Sequence, residues 1–134
     1  MPDFKALIER IAVNEGFRSK PYQCTSGVWT FGHGFTYINE DESLYVLGKR
    51  IPARHLKLLA DLDWYKDMPP EVQGVIIEMC YQMGFSGFKK FKRAIANMQD
   101  KNWKGASDEM LDSRWAKQTP NRARRLSDIV REHG

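Results

Sequence analysis

Apolar residues recur at Phe4, Leu7, Ile8 and Ile11, the spacing of one helix face, and predict an amphipathic helix over 3–14. Asp3 is a suitable N-cap and Gly16 a suitable stop, which leaves Glu15 at the helix's C-terminal end. The helix dipole disfavours an anion there, so a carboxyl in that place holds its proton more readily or needs a cationic partner. From 17 to 37 the pattern changes to strand-prone Tyr22, Val28, Trp29, Thr30, Phe31, Phe35, Thr36 and Tyr37, punctuated by Ser26-Gly27, Gly32 and Gly34. This predicts a small antiparallel sheet. Residues 38–52 read as irregular and end in Ile51-Pro52. The helical pattern resumes from Ala53 through Leu56, Leu58, Leu59, Leu62 and Trp64, and Met68-Pro69-Pro70 breaks it, with Pro70 able to open the next helix. Residues 71–83 predict a strongly apolar central helix ended by Gly84 and Gly87, and shorter helices follow around 88–99, 103–112 and 121–132. Trp103 and Trp115 are candidate core anchors.

The pattern therefore predicts an α+β fold in one domain, 1–134, with a small β lobe (about 16–52) and a larger all-helical lobe (1–15 plus 53–134). A cleft between two such lobes is a common ligand site. The length supports one core but not two. With 42% hydrophobic and 28% charged residues, a disordered chain is excluded as the main state. The net charge of +4 favours anionic partners. It is uneven: Arg114, Lys117, Arg122, Arg124, Arg125 and Arg131 are opposed between 114 and 131 only by Asp128. Two cysteines do not make a disulfide framework. Cys80, in an apolar run, reads as a core thiol, whereas Cys24 lies in a polar, turn-rich stretch and needs another explanation. The three His and two Cys are too scattered for metal-ligand spacing, so neither metal nor cofactor is expected. No signal peptide and no stretch near the roughly 20 apolar residues of a membrane span are seen, so synthesis in a cytoplasm and no stable membrane anchor are expected.

Glu15 invites a chemical reading. Glycoside hydrolysis needs a protonated carboxylic acid for the leaving oxygen and a second group that activates water or attacks the sugar. Cys24 and Thr30 lie on or beside the predicted hairpin. A threonine hydroxyl can hold a water. A cysteine can accept a weak hydrogen bond as a thiol, or act as a base as a thiolate if its pKa is lowered.

Glu15, Cys24 and Thr30 form Glu-x8-Cys-x5-Thr, which resembles the catalytic triad of glycoside hydrolase family 24, the phage lysozymes and endolysins, where the second member is Asp or Cys. Asn14-Glu15-Gly16-Phe17-Arg18, Tyr22 two residues before Cys24, and Thr30-Phe31-Gly32-His33-Gly34 resemble the flanks of that triad. Tyr81-Gln82-Met83-Gly84 is similar to the end of the family's central helix, and Ser113-Arg114-Trp115-Ala116-Lys117-Gln118-Thr119-Pro120-Asn121-Arg122-Ala123 to its most specific run.

The resemblance implies a lysozyme-like fold and cleavage of the β-1,4 bond between N-acetylmuramic acid and N-acetylglucosamine in bacterial peptidoglycan. The implied enzyme is an inverting endolysin that lyses the host cell. Glu15 would be the general acid, Cys24 would activate the incoming water, and Thr30 would orient it. Tyr22 and Gly34 would line the substrate site from the sheet side and Tyr81 and Gln82 from the helical side, while Arg122 would pair with Glu15. A monomer is expected, held in the host cytoplasm until a holin releases it to the wall, with electrostatic attraction to that anionic wall and no nucleic-acid partner. Three departures stand out. Cys24 replaces the commoner Asp; Phe35 follows Gly34 where His is frequent, so His33 inherits no role; and the chain is shorter than the T-even phage type. The residues alone also leave a plainer reading for each group: Gln82 as a helix-end side chain, Arg122 as a bridge within the helical lobe, His33 as a loop residue. The competing functions are a non-enzymatic basic protein that binds walls or disrupts membranes, and a transglycosylase that leaves an anhydro sugar.

Overall fold

A computed structural model describes residues 1–133. They form two compact units, Met1–Gly48 and the segment from Lys49 onward.

The first unit opens with α1, Phe4–Glu15. The Asp3 side chain accepts the Ala6 N–H at 3.1 Å and so satisfies a donor that the first turn leaves orphaned. Gly16, at φ +70°, ends the helix while its N–H returns to Ala12 O. No residue of α1 is buried. Forty-eight residues are too few to enclose a helix face, and Thr30 is the only buried residue in this unit. Strands β1, Arg18–Gln23, and β2, Trp29–Gly32, pair antiparallel with Tyr22 opposite Thr30 and Gln23 opposite Trp29. The ladder is irregular between Arg18 and Tyr22, where Pro21 has no N–H to give. The connecting turn is closed by Gly27 N–H to Cys24 O and Cys24 N–H to Val28 O, each 2.9 Å. Beyond β2 the chain folds back again, Phe31 and Phe35 exchanging two 2.8 Å backbone bonds around Gly32 and Gly34.

The expectation of irregular chain over 38–52 is corrected. Helix α2 runs Glu40–Asp61, with Pro52 inside it. Asn39 and Glu42 make the reciprocal bonds of a capping box: the Glu42 N–H reaches Asn39 Oδ1 at 2.9 Å and the Asn39 N–H reaches Glu42 Oε1 at 3.0 Å. Glu40, Asp41 and Glu42 then suit the positive end of the dipole. A proline cannot bond the carbonyl four residues back, here that of Gly48. The division between the units falls at this weak turn. Helix α1 lies in the same unit as the hairpin, and residues 40–52 are helical.

The second unit holds the hydrophobic core. Helix α3, Pro70–Lys89, is opened by its proline and contributes Val72, Val75, Ile76, Met79 and Cys80, all buried. Gly84, at φ +80° and ψ 163°, is non-helical and divides it at a kink into two helical segments, so the strongly apolar first segment ends there as expected. Around it lie α4 (Lys92–Gln99), α5 (Trp103–Leu111), α6 (Arg114–Gln118) and α7 (Pro120–Arg131). The short α6 lay inside a run read only as a motif; Ser113 caps it by accepting the Ala116 N–H at 3.1 Å. Trp103 and Trp115 are buried, as anchors should be.

Candidate active site

Each candidate in the first unit is positioned by a local feature. Glu15 is the last residue of α1, and the sharp backbone turn at Gly16 separates it from the hairpin. Its carboxylate lies against Gly34. A Cβ built on Gly34 would stand 2.7 Å from Glu15 Oε2 and 3.1 Å from its Cδ. A side chain at position 34 would displace the carboxylate from there, and Gly34 also sits at φ +82°, a conformation that L residues rarely adopt. Glu15 and Gly34, nineteen positions apart, are thus brought into direct contact within one unit.

The hairpin carries the next three. Tyr22 and Thr30 are opposite each other in the ladder, and cross-strand partners lie on one face; Cys24 follows β1, where its N–H bonds Val28 O in the turn. Tyr22 and Thr30 therefore share one face, with Cys24 two positions beyond Tyr22. Burial agrees: Tyr22 and Cys24 are half-buried and Thr30 is buried, while Gln23 and Trp29 on the opposite face are exposed. The Thr30 hydroxyl donates to Val28 O at 3.3 Å, which leaves its oxygen lone pairs as acceptors for a water hydrogen. The Arg18 guanidinium lies 4.7 Å from the Tyr22 ring centroid and fixes that ring from the same strand. Cys24 Sγ is 2.9 Å from Ser26 Oγ. The Ser26 hydroxyl, with the backbone around Ser26 and Val28, holds the Cys24 thiol below the ordinary cysteine range. The His33 ring lies tilted at 45° to that of Phe17, centroids 5.4 Å apart.

In the second unit, Gln82 Oε1 accepts the indole N–H of Trp115 at 2.9 Å, so this side chain locks α3 to α6. Tyr81 is half exposed and forms, with Arg50, Ile51, Ala53, Arg54 and Lys57, the lining of a recess of about 680 Å³. Three cations and no acid line it. Arg122 Nε donates to Glu78 Oε2 at 2.8 Å, joining α7 to α3 within the second unit. The basic run is likewise partly internal: Arg131 pairs with Asp108 and donates to Ser107 Oγ.

Among the described residues, no group of three His, Cys, Asp or Glu side chains could hold a metal ion. No described helix is long and apolar enough to cross a membrane.

The phage lysozyme family profile matches residues 12–131. The chain belongs to the phage lysozyme family. Two curated relatives come from Dictyostelium discoideum. The protein named probable T4-type lysozyme 1 is 35% identical over 93 residues, 69% of this chain and 55% of that protein. Probable T4-type lysozyme 2 is 28% identical over 92 residues, 68% of this chain and 54% of that protein. The chain thus spans about half the length of the curated relatives it matches. Within this phage lysozyme chain, sequence reasoning overlooked Ser26, Glu78 and the Arg50–Arg54–Lys57 face. The first had a visible signal, a hydroxyl two residues beyond a cysteine in a turn, since Ser and Thr side chains bond locally in such places. The i, i+4, i+7 spacing of the three cations was also legible. Glu78 had none, because its bond to Arg122 spans 44 positions.

Proposed function

We propose that this chain is a bacteriolytic glycosidase, a muramidase that hydrolyses the β-1,4 bond between N-acetylmuramic acid and N-acetylglucosamine in peptidoglycan. The observation that supports this reading best is the seating of the Glu15 carboxylate on Gly34, in the unit whose hairpin pairs Tyr22 with Thr30 and carries Cys24 at its turn. A carboxyl that rests against the backbone at the end of a helix is placed to deliver its proton to a glycosidic oxygen.

The atoms balance as follows. Glu15 gives its proton to the leaving oxygen as the C1–O bond breaks. A water held by Thr30 attacks C1 from the opposite side, and the Cys24 thiolate takes the proton that water releases. The products are an inverted hemiacetal and a free sugar hydroxyl, and solvent exchange resets Glu15 to the acid and Cys24 to the thiolate. Tyr22 and Gly34 on the sheet, and Tyr81 and Gln82 on the helices, contact the glycan. The cationic recess beside Tyr81 and the net charge of +4 draw the enzyme to an anionic wall. In its setting the protein acts as a monomeric endolysin, held in the host cytoplasm until a holin admits it to the wall.

Clearing of wall suspensions tests the reading. Glu15→Gln keeps the fold and abolishes clearing, Cys24→Ser is much slower, and Cys24→Asp retains activity. Mass spectrometry of the digest shows reducing N-acetylmuramic acid ends; anhydro ends would replace hydrolysis by transglycosylation. Clearing by Glu15→Gln at the wild-type rate would favour a non-enzymatic basic protein.

A further inference from the structure

The Cys24–Ser26 pair is a contact for which the proposed reaction has not yet found a use. Ser26 sits in the turn that links β1 to β2. That turn is closed on both sides of it, by Gly27 N–H to Cys24 O and by Cys24 N–H to Val28 O, each 2.9 Å. Gly27, at φ +83°, completes the bend. The backbone therefore fixes where position 26 stands relative to position 24, and the Ser26 hydroxyl comes to 2.9 Å from Cys24 Sγ.

The pair has an unequal chemistry in its two protonation states. A thiol can donate its S–H to the hydroxyl oxygen or accept from the hydroxyl. A thiolate can only accept, so the hydroxyl must then donate. A hydrogen bond to a charged acceptor is worth roughly twice one between neutral partners. The contact thus favours the ionised sulfur, and the turn holds it there before any substrate arrives. We propose that Ser26 is a positioning residue for the lytic reaction, which aims the Cys24 sulfur and keeps it as the proton acceptor for the attacking water. This rests on the muramidase reading above.

Electrostatic partners do not supply the effect instead. The charged or titratable groups of the hairpin are Arg18, Lys20 and Tyr22 on β1, and β2 carries none. Arg18 is engaged with the Tyr22 ring. Glu15, at the end of α1, rests on Gly34. Every influence that lowers the Cys24 thiol is a hydrogen bond from the turn, the Ser26 hydroxyl first, and burial opposes them. In a chain with Asp in place of Cys24, the carboxylate would be ionised at neutral pH without help. An unperturbed cysteine, whose pKa lies well above neutral, would not. The serine is what adapts a sulfur to a place that needs a base.

The test reads the sulfur directly, without the wall. The rate of Cys24 alkylation by iodoacetamide is measured against pH in the full chain, with buried Cys80 replaced by Ala to leave one thiol. Ser26→Ala raises the midpoint of that profile by at least half a pH unit, and Ser26→Thr, which keeps the hydroxyl, stays near the parent. The same shift appears in the acidic limb of the wall-clearing profile, so Ser26→Ala clears three- to tenfold more slowly at neutral pH and recovers as pH rises. An alkylation midpoint that is the same in parent and Ser26→Ala overturns the proposal. A midpoint that moves while the clearing profile does not follow overturns instead the part given to Cys24 in hydrolysis, and the role of Ser26 in it. Ser26 is exposed, so unchanged melting of Ser26→Ala is expected, and it shows that the pH shift is not unfolding.

Discussion

Gly34→Ala separates the seating of the acid from the stability of the unit that carries it. Two effects meet at this position. The first is backbone: φ +82° suits glycine, and placing an L side chain there costs about 1–2 kcal/mol. The second is contact. The added Cβ would meet Glu15 Oε2 at 2.7 Å, so the carboxylate must retreat by about 0.7 Å to recover ordinary contact at 3.4 Å. Glu15 is exposed and can swing away, at about 0.5–1.5 kcal/mol if its torsions leave their wells. The contact effect is therefore small in stability but large in rate, since misplacing a catalytic group by about 1 Å can reduce turnover on the order of 100-fold. Gly27 supplies the comparison: it sits at φ +83° with nothing within 4 Å of an added Cβ. Gly27→Ala and Gly34→Ala should lose similar stability, about 1–2 kcal/mol in denaturant midpoints analysed with a common slope. In wall clearing, Gly34→Ala should be roughly 10- to 100-fold slower than wild type. A Gly34→Ala protein that melts as low as Gly27→Ala yet clears walls at the wild-type rate would show that the contact does not aim the acid.

Local signals were legible in the sequence and contacts across the fold were not. Helix α1, its Asp3 cap, its Gly16 stop and the hairpin follow from periodicity and turn chemistry, because each is decided within a few residues. The first half of α2 departs from the predicted pattern for an instructive reason. Pro52 signals a helix boundary, yet a proline within a helix removes one bond and need not end the ladder on either side of it. The Asn39-x-x-Glu42 box and the acidic first turn that start this helix were visible and outweighed the proline. Helix α6, five residues long, cannot be told by period at all. In the candidate site, the family resemblance singled out Glu15 and Gly34 separately, but nothing in the chain says that one rests on the other. Arg122 illustrates the same gap: a motif names the residue, while its partner, Glu78, depends on how α7 packs on α3.

The helical unit offers two further checks. Gln82→Leu leaves the indole N–H of buried Trp115 without its acceptor and should lower stability by about 1–2 kcal/mol in a denaturant titration; Gln82→Glu, which keeps an acceptor oxygen, should recover most of it. A Gln82→Leu protein as stable as wild type would show that the indole bond holds nothing. The last check is alkaline. Burial pushes the Cys80 thiol up to about 11, against an ordinary value of 9.0, with Arg54 opposing weakly, and burial also raises the neighbouring Tyr65. For a group whose folded value lies above its unfolded one, the folded state retains the proton longer. The stability it contributes is therefore complete below about 9 and is lost as pH rises toward 11. Two units at about 1.4 kcal/mol each set a ceiling near 3 kcal/mol, and partial opening around an ionised thiol brings the expected loss to roughly 1–2 kcal/mol. Thermal melts of wild type and Cys80→Ala between pH 8 and 11 should converge as pH rises, because alanine has no proton to lose. Parallel curves over that window would mean that the buried thiol does not couple to folding.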